Sequence, residues 1–289
     1  MNAVVVVFVV WFAAVLGGGA WWATRASRRP RLTERAGAAQ VTAFVDEGVS
    51  RFGRLPMAAL VYFAGAGVIL ALCWPLGLLA HGLEGAVDWP IFHWTEHRQI
   101  QAWSDIWLKL TNIGKPRLTQ GVDAIAAVFF AVVWARRRRA WWAPLVLFAS
   151  AYALEKYCQI ILQTVVDRGH PPTTLGTFPS GGCARVLIVY GLVTFMTVEW
   201  RWPESRRAWR IGMVVVAFLW SIQAYARLYN LEHWFTDVVG GTVFGLLGLL
   251  VMLGCARVLA RPAGRPVAGG SDRETSPEGS TRWRLSARV

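Results

Sequence analysis

Charge is scarce in this chain. Only 16% of its 289 residues are Asp, Glu, Lys or Arg, and lysine nearly vanishes. A soluble domain of this length carries more charge, so an ordinary water-facing shell is excluded. Cysteine is scarce too: Cys73, Cys158, Cys183 and Cys255 show no CxxC spacing, and three lie in or beside apolar runs. That excludes a disulfide framework or a cysteine zinc site, and the thiols read as small buried hydrophobes. What abounds is apolar, at 55% of residues with a mean hydropathy of +0.40. A net charge of +13 would suggest nucleic acid in a soluble protein. Here no polar domain remains to present a basic face, so nucleic acid is not an expected partner.

Crossing a bilayer takes about 20 mostly apolar residues in a helix. Seven stretches meet this: 3–23, 57–81, 119–135, 141–165, 184–199, 209–226 and 236–258. The expected fold class is therefore all-α, a polytopic membrane helical bundle with six core transmembrane helices and one extra N-terminal transmembrane helix. The first stretch lacks a basic leading segment and runs into RASRRPR, so it reads as a retained anchor rather than a cleaved signal peptide. Three regions follow: an anchor and cytoplasmic linker over 1–56, a membrane domain over 57–260, and a basic tail over 261–289 whose Gly, Pro, Ser and Arg predict disorder. Within the connector 82–118, WTEHRQIQAWSDIWLKL has amphipathic spacing and is expected to lie along the membrane surface.

Sidedness follows from the basic residues. Alternating connectors place 22 Lys and Arg on one side and 7 on the other. The richer side faces the cytoplasm, which puts the N-terminus outside and the tail inside a cell membrane. Tryptophans at 21, 22, 141, 142, 200, 202 and 209 fall at span ends, as an interfacial aromatic belt would. Loops 166–183 and 227–237 then share the extracytoplasmic face.

Those two loops hold the polar groups that matter. The second reads RLYNLEHWFTD between two apolar runs. His233 and Asp237 are four apart, so at a helix start they share a face. A carboxylate there fixes one imidazole nitrogen and leaves the other as nucleophile or base. Arg227 supplies a planar guanidinium suited to phosphate. In the first loop, VDRGHPPTTLGTFPSGGC, the PSGG at 179–182 opens a helix whose N-terminal N–H groups attract anions. Arg168 adds a further cation.

Together these residues carry a resemblance. Arg227, His233 and Asp237 in the spacing R-x5-H-x3-D, with P-S-G at 179–181 upstream, resemble the type 2 phosphatidic acid phosphatase superfamily. Its members are helical membrane enzymes with three motifs, K-x6-R-P, P-S-G-H and S-R-x5-H-x3-D. The resemblance covers residues 57–260 and implies that His233 is the nucleophile, forming a phosphohistidine, and that Asp237 orients it. It also implies that Arg227, Arg168, Ser180 and the glycines Gly181 and Gly182 bind phosphoryl oxygens, with Lys156 a further phosphate-binding candidate. The chain departs from the pattern in three places. Ala226 replaces the serine of the third motif, Arg168 is followed by Gly169 and preceded at seven residues by Ile161, and Gly182 replaces the P-S-G-H histidine. In the family that histidine serves leaving-group protonation.

Two routes around the missing acid stand open. His170, two residues from Arg168, can enter from the facing loop as a substitute acid. Alternatively the substrate is a diphosphate, whose leaving phosphate monoester has a pKa of about 6 and needs no proton. The implied function is metal-free hydrolysis of a lipid phosphate or diphosphate, a polyprenyl diphosphate among them, on the extracytoplasmic side, with membrane lipids as surroundings and no cofactor. A phosphotransferase with an alcohol acceptor and a non-catalytic lipid-phosphate-binding member are the alternatives. HWTEH at 93–97 matches a zinc-peptidase pattern but lacks a further ligand, and reads as a solvated amphipathic face. Glu155 and Lys156 are charges within a span, costly unless paired or functional.

Overall fold

A computed structural model describes residues 3–24, 36–173 and 177–261. Among them every regular element is helical. The membrane-crossing helices are α1 (Ala3–Thr24), α3 (Arg54–Gly82), α6 (Pro116–Arg136), α7 (Trp142–Val166), α10 (Arg206–Tyr229) and α11 (Phe235–Leu259). A seventh runs from Gly181 to Arg201 as α8 (Gly181–Arg185), a π-helical turn (Val186–Tyr190) and α9 (Gly191–Arg201). Each predicted span is present, and most extend by a few residues at each end. Interfacial Trp and Arg end the apolar count before they end the helix, because backbone hydrogen bonding continues through them. The chain is a multi-pass membrane protein.

Shorter elements lie between the spans. Helix α2 (Ala36–Phe52) occupies part of the predicted linker and packs on α3. The connector 82–118 folds into a π turn (Glu84–Asp88), α4 (Trp89–Glu96), α5 (Gln101–Leu110) and a 3-10 turn (Thr111–Gly114). This cap is pinned to the end of α10: Gln99 donates to the Tyr229 carbonyl at 2.7 Å and the Tyr229 hydroxyl accepts from the Ile100 N–H at 2.8 Å. The predicted disorder of the tail falls on residues outside the described ones, apart from Arg261.

Apolar side chains point both ways. Phe130, Phe148, Leu154, Leu162, Ile188, Leu192, Phe244 and Met252 are buried and form the main core between α6, α7, α9 and α11. Phe63, Ile125 and Leu250 are exposed, the distribution a helix bundle shows when its surroundings are hydrocarbon. Helix α1 is more than a tether. Its Phe8 and Phe12 make edge-on and tilted ring contacts with Trp103, Trp107 and Tyr225 and so lock it to α5 and α10. Helix α11 lies close against the turn that opens α8. A side chain at Gly241 would run into the Ser180 carbonyl, and one at Gly245 would meet Ala184 at 2.8 Å, so small residues set this approach.

Candidate active site

The polar groups gather at one end of the bundle, where the loop after α7, the turn before α8 and the turn between α10 and α11 meet. Three hydrogen bonds hold these segments together. Ser180 N–H donates to the Asp237 carbonyl at 3.0 Å, Trp234 Nε1 donates to the Gly169 carbonyl at 3.0 Å, and the Thr173 hydroxyl donates to the Leu231 carbonyl at 2.5 Å.

His233 precedes Trp234, the N-cap of α11, and Asp237 lies in the first turn. Nδ1 of His233 stands 3.5 Å from Oδ2 of Asp237. That is long for a hydrogen bond, as catalytic pairs are without substrate. The carboxylate is fixed from other sides: Oδ2 accepts from the Trp234 N–H at 3.2 Å and Oδ1 from Arg168 Nη1 at 2.9 Å. Burial pushes the His233 pKa below the ordinary 6.5, with Asp237 opposing the shift and Arg227 adding to it. The imidazole is therefore neutral near pH 7. With Nδ1 facing Asp237, Nε2 is the nitrogen left to react.

Arg168 occupies a place the sequence does not foretell. Its side chain is fully buried and pairs with Asp88, with Asp237, with Glu84 at 3.5 Å and with the Thr236 hydroxyl at 2.6 Å. Thr236 in turn donates to Asp88 through its N–H at 3.0 Å and its hydroxyl at 2.7 Å. The expectation that Arg168 binds phosphate is thus corrected. Two buried carboxylates need a cation more than solvent-facing phosphate does, and Arg168 holds Asp237 in position instead. Glu84 and Asp88 were not candidates, because nothing in their sequence surroundings marks them.

A cleft of about 670 Å³ opens beside His233. Gln159 and Gln163 of α7 form one wall, His170 and Thr173 a second, and Gly181, Gly182, Arg185 and Arg227 a third. The Gly181 and Gly182 N–H groups open a helix that runs to Arg201, and the first backbone bond back into its start is from Ala184 to Ser180. They therefore have no intrahelical partner and are available to an anion. Arg227 pairs through Nη1 with Glu232, while its buried Nε has no hydrogen-bond partner among the described residues.

His170 reaches the cleft, and its position matches the spacing of the first motif. Gln163 and His170, followed by Pro171, stand seven apart, the spacing of K-x6-R-P with both cations replaced. Both line the cleft, whereas Arg168 does not. The spacing was legible; its substitutions hid it. Nδ1 of His170 lies 2.8 Å from the Pro171 carbonyl, which only accepts, so Nδ1 is the donor and Nε2 is left without that contact.

Two further expectations need correction. Ser180 is wholly buried and its hydroxyl donates towards Cys183 Sγ at 3.6 Å, so only its backbone neighbours reach the cleft. Lys156 is exposed, set over Tyr152 and Tyr157 at 5.5 and 5.9 Å, and is absent from the cleft wall. One residue along a helix is a rotation of about 100°, which turns Glu155 inward and Lys156 outward. At Gly182 the space for a side chain is taken: a Cβ there would meet Gln223 Nε2 at 2.5 Å and Arg227 at 3.0 Å. Gln223 thus takes the space that a side chain at position 182 would need. Among the described residues no group of three His, Cys, Asp or Glu is arranged to hold a metal ion, and His93 of HWTEH is exposed and faces Glu96 at 3.3 Å.

A solved structure shares this fold. The fold is similar to that of the PAP2-type phosphatidylglycerolphosphate phosphatase of Bacillus subtilis, with a TM-score of 0.57 and 18% sequence identity over 68% of this chain and 98% of that one. No curated protein matches the sequence. The PAP2 superfamily model matches residues 157–260, from the middle of α7 to the end of α11. Over the segment that builds the cleft the chain is thus similar to the PAP2 superfamily, the group the Arg227, His233 and Asp237 spacing resembles.

Proposed function

We propose that the protein is a membrane phosphatase that cleaves a lipid phosphate or diphosphate at the extracytoplasmic face through a phosphohistidine on His233. The observation that carries this reading is the convergence of His233, backed by Asp237, with Arg227 and the Gly181–Gly182 helix start on one cleft. Nε2 of His233 attacks phosphorus while Asp237 stabilises the cation that forms on the ring. Arg227 and the backbone N–H groups meet the charge on the equatorial oxygens. Water then attacks the phosphohistidine and releases inorganic phosphate.

His170 lines the same cleft and supports an exchanged acid–base role, from the facing loop rather than from position 182. Gln223 in the space beside Gly182 supports a substrate whose leaving group needs no proton, which favours a diphosphate. The extracytoplasmic assignment rests on the distribution of 22 and 7 basic residues, with all three site loops at the poorer end.

The test is phosphate release by purified protein in EDTA from a polyprenyl diphosphate, phosphatidic acid and phosphatidylglycerol phosphate. Release by the wild type is expected from at least one lipid, and His233→Ala is expected to lose it by roughly a thousandfold or more. Release that survives in the variant would remove the phosphohistidine. No release from any lipid by folded wild type would move the protein to a transferase or a lipid-phosphate binder.

A further inference from the structure

We infer that Arg185 is a phosphate-binding residue of the cleft, gripping the phosphate that leaves while Arg227 and His233 act on the one transferred. The inference rests on the phosphoryl-transfer reading above. Arg185 lines the cleft with Gly181, Gly182, Arg227 and His233. Its guanidinium is held from behind, since Nε donates to the Gly114 carbonyl at 2.9 Å and Nη1 to Glu155 Oε1 at 2.7 Å. Neither of those partners belongs to the cleft wall. Nη2 has no partner among the described residues. The arrangement is a cation clamped by two fixed acceptors with one donor nitrogen left over. The Arg185 side chain is 15% exposed, against 6% for Glu155, so the guanidinium reaches the cleft while its carboxylate partner lies behind it.

The rest of the cleft shows what this cation supplies. The first-motif positions are Gln163 and His170, Arg168 is saturated by Asp88 and Asp237, and Arg227 already pairs with Glu232. A diphosphate would outweigh the one remaining arginine. Arg185 brings a second planar donor, and the amides of Gln159 and Gln163 line the same cleft. In the reaction, Nε2 of His233 bonds to the terminal phosphorus and the bond from that phosphorus to the bridging oxygen breaks. The bridging oxygen keeps the electron pair and departs as a lipid monophosphate, and its new charge falls to Arg185. Water then cleaves the P–N bond, giving inorganic phosphate and one proton. No acid at position 182 enters, because the departing phosphate has a pKa of about 6.

The experiment measures binding of methylenebisphosphonate, which cannot be cleaved, and of methylphosphonate to full-length protein in detergent, for wild type, Arg185→Gln and Arg185→Lys. Phosphate release from a polyprenyl diphosphate is followed alongside. Wild type should prefer the bisphosphonate. Arg185→Gln should weaken it roughly tenfold or more and weaken methylphosphonate several-fold less. Arg185→Lys keeps a cation beside Glu155, so it guards against misfolding and should give an intermediate loss at an unchanged thermal midpoint. Equal weakening of both ligands, no weakening in either variant, or no bisphosphonate preference in wild type would each overturn the role of Arg185. The expected binding losses in a protein that releases no phosphate would uphold Arg185 and remove the phosphatase reading instead.

Discussion

At the scale of single residues, the site separates groups that react from groups that hold them. Asp237 touches His233 and is itself held by Arg168, so Asp237→Asn should keep the fold and lower kcat by roughly 10²–10⁴. Arg168→Ala strands Asp88 and Asp237 without their cation, and should cost about 3–5 kcal/mol of stability, read as a lowered thermal midpoint. Lys156→Ala, by contrast, should leave both midpoint and activity nearly where they are, because that exposed side chain engages Tyr152 and Tyr157 away from the cleft. The lowered pKa of His233 has a sign that can be checked. The reactive form is neutral, so kcat/KM should fall as pH drops, with an acid limb below the ordinary histidine value of 6.5. His233→Gln should abolish that limb together with the activity. The same shift removes stability as pH falls through 6.5, since the unfolded chain then binds a proton that the buried ring resists.

At the scale of elements, the site depends on how closely α8 is approached by α10 and α11. Gly182 faces Gln223 and Arg227 of α10, so restoring the histidine alone should fail. Gly182→His is expected to lose stability and activity, and adding Gln223→Ala should recover part of both. A double-mutant cycle on the thermal midpoint measures that coupling, and simple additivity would show that Gln223 does not occupy the vacated space. Gly241 is the corresponding contact on α11. Its substitution by Ala drives a methyl into the Ser180 carbonyl and should cost about 1–3 kcal/mol while displacing the Gly181–Gly182 N–H groups.

At the scale of the molecule, the cap formed by α4 and α5, the loop after α7 and the α10–α11 turn share one face of the bilayer. Basic residues crowd the opposite face. Cysteine labelling with a membrane-impermeant maleimide on intact cells checks which face is outside. The four native cysteines are buried, so their background should be low. Glu96→Cys should label and Glu204→Cys should not, both positions being exposed on opposite ends. The reverse pattern would invert the assignment and place the cleft in the cytoplasm.

The sequence by itself determined what is local. Seven apolar runs specified seven helices because hydrocarbon leaves the backbone no other partner than itself. His233 and Asp237 were legible because four-residue spacing at a helix start places side chains on one face whatever packs around them, and Arg227 was legible as a lone cation just before them. The connectors were less legible: α2 and the short helices over 84–114 carry no long apolar run. Only the tertiary structure decided the choices between distant partners. Arg168 could have met phosphate or carboxylate, and two carboxylates folded in from the cap and α11 took it. Glu155 and Lys156 were equivalent charges until the rotation of α7 buried one and exposed the other. Gly182 was a missing histidine until Gln223 was found in its space. Each of these outcomes depends on which surfaces meet across the bundle, and spacing along the chain does not encode that.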